Sequence, residues 1–233
     1  MVQPKEIDRT GFSVQFIKVK NTEYTPIDFF DVDHTITRGA SGWNFARYGI
    51  KRKLFPARAL ITIPFFYVQY RYGSFSPESF HLRLEGFDGL KQADLEDIAL
   101  ESFEKRLKRD IHDDIYEAIH SIKNSGRMVV LATSSLHIIV KPLADYLDLD
   151  KVIATRLEYV DGICTGRFAE NPVFGKEKMN RVLQFIDQIG SDVSACSFYS
   201  DSYHDIPLLE KVAAPVAVNP DYRLKREAQK RGW

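Results

Sequence analysis

The chain alternates short apolar runs with longer stretches of helical periodicity, and one junction between the two stands out. Ile27 to Phe30 is mostly β-branched or aromatic, and Asp31, Asp33 and Thr35 follow it at spacings of two. A run of that length suits a buried strand and is too short for a helix. Asp31 therefore falls at a strand end, at about 27–31. Open α/β sheets bind ligands there, although an Asp or Thr after a strand also serves as a plain helix cap.

Ahead of this junction, residues 12–19 nearly alternate apolar and polar, as an added edge strand would. After it, Gly39, Ser41 and Gly42 predict a hinge or linker. From Trp43 to about Asp110 the chain is rich in aromatics and helix formers and carries no clear strand. Ser76-Pro77-Glu78 reads as a helix start. Ala93 to Arg109 repeats Leu95, Ala99, Phe103 and Leu107 at i, i+4, which gives one buried stripe. Residues 42–110 are thus expected to form a helical insertion of three or four helices.

Strand–helix alternation then resumes. Ile111 to Asn124 predicts a helix with Ile111, Ile115, Ile119 and Ile122 on one face, stopped by Gly126. Met128 to Ala132 predicts a buried strand ending at Thr133-Ser134-Ser135. Leu136 to Leu147 follows as a helix, then Val152 to Ala154 as a strand. Leu157 to Thr165 reads as a hairpin around Asp161-Gly162, a favoured two-residue turn. Met179, Val182, Leu183, Ile186 and Ile189 form another helical stripe. Ala195 to Tyr199 predicts a strand ending at Ser200-Asp201-Ser202. A helix through Leu208 and Leu209, a strand at Val216 to Val218 and a basic helix from about Asp221 complete the chain. The expected fold class is α/β, a doubly wound, Rossmann-like parallel sheet interrupted by an all-helical cap. The expected domains are an N-terminal extension (1–26), a core (27–41 and 111–233) and the cap (42–110).

With 233 residues and 44% hydrophobic side chains, a core of that size can be buried and disorder is disfavoured. Lys+Arg 32 balances Asp+Glu 32, so no global field points toward nucleic acid or acidic lipid. Cys164 and Cys196 lack metal-ligand spacing and favour a reducing compartment. Met1 to Pro26 lacks the pattern of a secretory signal. The apolar run Ala59 to Tyr70 contains Pro64 and is too short to cross a bilayer. The expectation is a soluble, cytoplasmic protein without stable membrane insertion.

Three strands are thus predicted to end in polar residues: Asp31/Asp33, Thr133/Ser134 and Asp201/Asp205. If those strands are neighbours, four carboxylates share one crevice and repel unless a cation neutralises them. All-oxygen ligands favour a hard ion, Mg2+ first. A carboxylate there can attack phosphorus, and a second can protonate the leaving oxygen and then activate water. Lys176 and Lys178, at a helix start, can supply a cation for phosphate. Thr133-Ser134 before a helix can supply N–H donors. His34 and His204 flank the acids as loop histidines.

These segments together resemble the haloacid dehalogenase superfamily of phosphohydrolases. Phe30-Asp31-Val32-Asp33-His34-Thr35-Ile36 is similar to its first motif, and Thr133 after Val129-Val130-Leu131-Ala132 to its second. Lys178 in Gly175-Lys176-Glu177-Lys178-Met179 is similar to its third, and Tyr199-Ser200-Asp201-Ser202-Tyr203-His204-Asp205 to its acidic fourth. Val218-Asn219-Pro220-Asp221-Tyr222-Arg223-Leu224 and Gly232-Trp233 look most like the phosphoserine-phosphatase-like branch. The resemblance covers nearly everything from residue 27 to 233.

It implies Asp31 as nucleophile and Asp33 as general acid/base, the residue that separates phosphatases from relatives that do not hydrolyse. It implies Mg2+ held by the Asp31 carboxylate, the Asp33 backbone carbonyl and the Asp201 carboxylate, with Asp205 supporting the metal shell. Thr133 and Ser134 would bind phosphate, and Lys178 would neutralise it, with Lys176 as the alternative. One departure bears on substrate. Phosphoserine phosphatases place an acid shortly after the first motif, and Arg38-Gly39-Ala40-Ser41-Gly42 has none. Arg83 is the candidate basic cap residue for a substrate carboxylate. Trp43, Phe45, Phe65, Phe66 and Tyr67 suit a bulkier or lipid-like phosphate ester, or else form the cap's own core or the face of a homodimer. The expected partner is a small-molecule phosphate ester, with no nucleic acid. Two other readings stay open: a phospho-acceptor domain, and an interaction protein acting through its cap without turnover.

Overall fold

The computed structural model describes residues 24–55, 84 and 86–233. The expected strand at 12–19, the apolar run 59–70 with Phe65, Phe66 and Tyr67, the Ser76-Pro77-Glu78 helix start and Arg83 lie outside them. In chain order come strand β1 (Ile27–Phe30) and helices α1 (Ser41–Lys51), α2 (Gln92–Lys105) and α3 (Asp113–Asn124). Strand β2 (Met128–Leu136), helix α4 (His137–Tyr146), strands β3 (Lys151–Thr155), β4 (Leu157–Val160) and β5 (Ile163–Phe168) and helix α5 (Lys176–Gln188) follow. The last elements are β6 (Cys196–Ser200), α6 (Ile206–Leu209), β7 (Ala214–Ala217) and α7 (Tyr222–Arg231).

One sheet has the order β3-β2-β1-β6-β7, with every neighbouring pair parallel. Phe30 packs one face against Ile115 and Ile119 of α3 and Val140 and Leu143 of α4. Ile27 and Phe29 pack the other against Val182 and Ile186 of α5, Leu208 and Leu209 of α6 and Leu224 of α7. Burial on both faces is why β1 and the start of β2 read as apolar runs rather than alternations. The fold is α/β and doubly wound. The chain leaves β1 for β2 and β3 on one side and crosses to β6 on the other, so strand order reverses between β1 and β6. A crevice opens at such a switch point. Among the described residues no helix is long and apolar enough to cross a membrane.

Several boundaries shift for reasons set by pairing. Ile111 precedes α3 instead of starting it, because it bridges Thr37 while His112 N–H donates to the Ile36 carbonyl at 2.9 Å. Leu107 sits in a 3-10 turn after α2, yet all four stripe residues of that segment are buried. Ile189 falls just past the end of α5. Strand β7 begins at Ala214, two residues before its expected start, since Ala214 and Pro215 pair with Ser197 and Phe198. The Asp161-Gly162 turn is as expected: φ is 50° and 76°, the left-handed pair of a type I′ hairpin.

Gly39, Ser41 and Gly42 were expected as a hinge, but Ser41 and Gly42 form the first turn of α1. Helices α1 and α2 pack on each other and on α4 around Phe45, Phe55, Leu95, Ile98 and Ile139. Phe45 thus lies in the core of this helical layer, against Phe55 and Phe87, while Trp43 is exposed. The returning segment bonds to β5 and the turn before it: Leu84 N–H to the Gly166 carbonyl (2.8 Å), Gly89 N–H to the Cys164 carbonyl (2.9 Å) and Gln92 N–H to the Gly162 carbonyl (2.8 Å).

Candidate active site

Strand β1 delivers Asp31 to the switch point, where Asp31 N–H donates to the Tyr199 carbonyl of β6 at 2.9 Å. Phe30 stacks on Tyr199 with ring centroids 4.1 Å apart, which fixes the two strand ends side by side. The Asp31 carboxylate is buried; Oδ1 accepts from Val32 N–H at 2.7 Å and Oδ2 from Lys178 Nζ at 3.2 Å.

Lys178 comes from the first turn of α5. That helix begins at Gly175, whose φ of 51° and ψ of −118° suit only glycine. Lys178 is fully buried and also donates to Asp205 Oδ2 at 2.8 Å. Lys176 is exposed, so the geometry brings Lys178 and not Lys176 to the carboxylates. Asp205, in a 3-10 turn after β6, accepts in addition from Ser200 Oγ at 2.6 Å. Burial pushes the Asp205 carboxyl up to about 6; Lys178 opposes that rise and Asp31 adds to it. Asp201, directly after β6, is buried, and its carbonyl accepts from Asp221 N–H at 2.8 Å.

Asp33 lies two residues beyond Asp31. Its Oδ1 accepts from Ser41 N–H at 2.7 Å and its Oδ2 from Ser135 Oγ at 2.8 Å. Burial raises its pKa, against the lowering by those hydrogen bonds. Thr133 is buried at the end of the regular β2–β3 pairing. The strand was expected to end at Thr133-Ser134-Ser135, with a helix from Leu136 whose N-terminus would follow Thr133-Ser134. Instead β2 runs on to Leu136 through a register shift, and α4 starts only at His137. The extra residues are held because Thr155 Oγ1 donates to the Ser134 carbonyl at 2.9 Å. Ser134 therefore sits on a bulge, not at a helix N-terminus. Arg38, in the stretch lacking an acid, reaches the Ile111 carbonyl at 2.9 Å.

Asp31, Asp33, Asp201, Asp205, Thr133, Ser134 and Lys178 thus all gather at the carboxyl ends of β1, β2 and β6. Ser41, Ser135 and Ser200 join them, although the sequence had suggested no role in the site for any of the three. Spacing alone held one clue: Ser135 lies two residues past Thr133.

The donors around this cleft suit a hard divalent cation. They are oxygens only, and several carboxylates face Lys178, the one fully buried Lys or Arg among the described residues. No group of three or more His, Cys, Asp or Glu side chains is arranged around a common metal position among the described residues. The implied ligand set needs only two carboxylates and a backbone carbonyl.

The family model for haloacid dehalogenase-like hydrolases matches residues 29–210. A phosphoserine phosphatase of Mycobacterium tuberculosis is 31% identical over 218 residues, spanning 91% of this chain and 70% of that protein. A histidinol-phosphatase of Neisseria meningitidis is 28% identical over 210 residues, 88% of this chain and 95% of its own. A Bordetella pertussis protein of unknown function superposes with a TM-score of 0.79 at 28% identity, covering 90% of this chain and 97% of that one.

Proposed function

Given that the chain belongs to the haloacid dehalogenase-like hydrolase family, we propose that it is a Mg2+-dependent phosphomonoester hydrolase acting through an aspartyl-phosphate. The observation that carries the reading is the placement of Asp31 at the switch point, held by Lys178, with Asp33 two residues away.

In this mechanism Asp31 attacks phosphorus as the ester P–O bond breaks, and Asp33 gives its proton to the departing alkoxide. Asp33, now a carboxylate, takes a proton from water as that water attacks the phosphorus of the acyl phosphate. Inorganic phosphate leaves and Asp31 is regenerated. Thr133 and Ser134 bind the phosphoryl oxygens, and Lys178 neutralises part of their charge. The Asp31 carboxylate, the Asp33 carbonyl and the Asp201 carboxylate would hold Mg2+, with Asp205 behind them. The ion would supply further charge neutralisation at the phosphoryl group. Residues 42–110 act as the cap that selects the substrate. That substrate is a small-molecule alkyl phosphate, in line with relatives named for two different ones.

The test is phosphate release from phenyl phosphate and from a panel of alkyl phosphates, with Mg2+ and with chelator, for the wild type and Asp31→Asn. Metal-dependent turnover lost by at least about 10³-fold in the variant is the expected result. Stoichiometric labelling of Asp31 without turnover would replace the hydrolase with a phospho-acceptor.

A further inference from the structure

Both oxygens of the Asp33 carboxylate are taken by groups from other elements. Oδ1 accepts the backbone N–H of Ser41 at 2.7 Å, and Oδ2 accepts the Ser135 hydroxyl at 2.8 Å. The two serine hydroxyls lie 3.2 Å apart. Because Ser135 has one proton and gives it to Asp33, its oxygen is left to accept from Ser41. The pair therefore forms a directed chain from the first residue of α1, through the bulge of β2, to Asp33.

The local structure gives this chain few ways to move. Ser41 N–H is one of the donors that a helix start leaves unpaired, and Ala40 before it offers no side-chain cap. Asp33 fills that role from outside the helix. Ser135 is placed by the bulge between Thr133 and Leu136, and its own N–H donates to Thr133 Oγ1 at 3.3 Å. Ser41 is buried.

We infer that Ser135 and Ser41 are positioning residues for Asp33, aiming its carboxyl at the leaving-group oxygen and tying that aim to the seating of α1 on β2. The inference rests on the hydrolase reading above and extends it to two residues that reading leaves unassigned.

The test separates proton delivery from general disturbance of the site. kcat/KM reports steps up to leaving-group departure, so it is measured for 2,4-dinitrophenyl phosphate, whose leaving group needs no proton, and for phenyl phosphate, whose leaving group does. Wild-type turnover of both esters is the check on the hydrolase reading itself. Ser135→Ala is expected to lower kcat/KM for phenyl phosphate about tenfold or more, with a far smaller change for the dinitrophenyl ester. Ser135→Thr, which keeps the hydroxyl, recovers most of the loss. Ser41→Ala, which keeps the backbone donor, gives a smaller split in the same direction. An equal fall on both esters, or no fall, overturns the inference. If Ser135→Ala does not fold, Ser135→Cys carries the same comparison.

Discussion

Lys178 donates to Asp31 at 3.2 Å across 147 residues of chain, and its ammonium is completely buried. The same nitrogen holds Asp205 at 2.8 Å. A buried cation between two carboxylates makes each group dependent on the others for its charge. Lys178→Met should leave those carboxylates uncompensated, costing about 3–5 kcal/mol in metal-free urea unfolding and abolishing turnover. Lys178→Arg should not restore activity, because a planar guanidinium does not reproduce the point-charge geometry of an ammonium held between Asp31 and Asp205. Unchanged stability in Lys178→Met would show that the pair is not formed.

Mg2+ added to the apoprotein should raise the melting temperature, since a ligand that binds only the folded state stabilises it. At a roughly hundredfold excess over Kd the gain is about 2.7 kcal/mol. Asp201→Asn should lose most of that shift while keeping the metal-free melting temperature. A shift of wild-type size in Asp201→Asn would remove this residue from the metal shell.

Gly175→Ala tests how α5 is launched. A Cβ there would meet the His204 carbonyl oxygen at 3.8 Å, an ordinary contact, so the penalty comes from the φ of 51° and not from a clash. The cost should be about 1–3 kcal/mol, seen in denaturant unfolding. Turnover should fall with it, because Lys178 lies three residues further on.

His137, at the start of α4, gives a pH signature. Burial, then the positive charges of Arg156 and Lys141, push its pKa down to about 4, so the fold prefers the neutral ring. Between the ordinary value of about 6.5 and 4 the unfolded chain binds the proton and the folded one does not. Its contribution is therefore fully present above pH 6.5 and lost as pH falls toward 4. His137→Gln should flatten that part of the stability curve, read from melting temperatures across the range. A curve of unchanged slope would contradict it.

Much of this was legible in the sequence, and the rest was hidden for identifiable reasons. Asp31 was legible because it ends an apolar run and is followed by Asp33 and Thr35 at spacings of two, and Asp201 because it lies just past the run that ends at Tyr199. The Asp161-Gly162 turn was legible because few residues other than glycine, Asn and Asp readily adopt its left-handed angles. The two serines at Asp33 were not. Gly39, Ser41 and Gly42 have the composition of a loop, and the partner of the Ser41 N–H at the helix start, the Asp33 carboxylate, lies eight residues back where no helical periodicity points to it. In Thr133-Ser134-Ser135 the bulge breaks the two-residue alternation, so no periodic rule says which hydroxyl faces the site. The lysine choice was hidden in the same way, since Lys176 and Lys178 differ only in the direction that α5 gives them.

The backbone bonds of Leu84, Gly89 and Gln92 to the β4–β5 hairpin give the molecule the connectivity of a crank. The hairpin is seamed to the end of the helical layer, and its other limb runs back through Arg156 to Thr155. There Oγ1 holds the Ser134 carbonyl at 2.9 Å and accepts from Val173 N–H at 3.0 Å. The helical layer and the bulge that carries Ser135 are therefore joined through the hairpin by an unbroken run of backbone and hydrogen bonds.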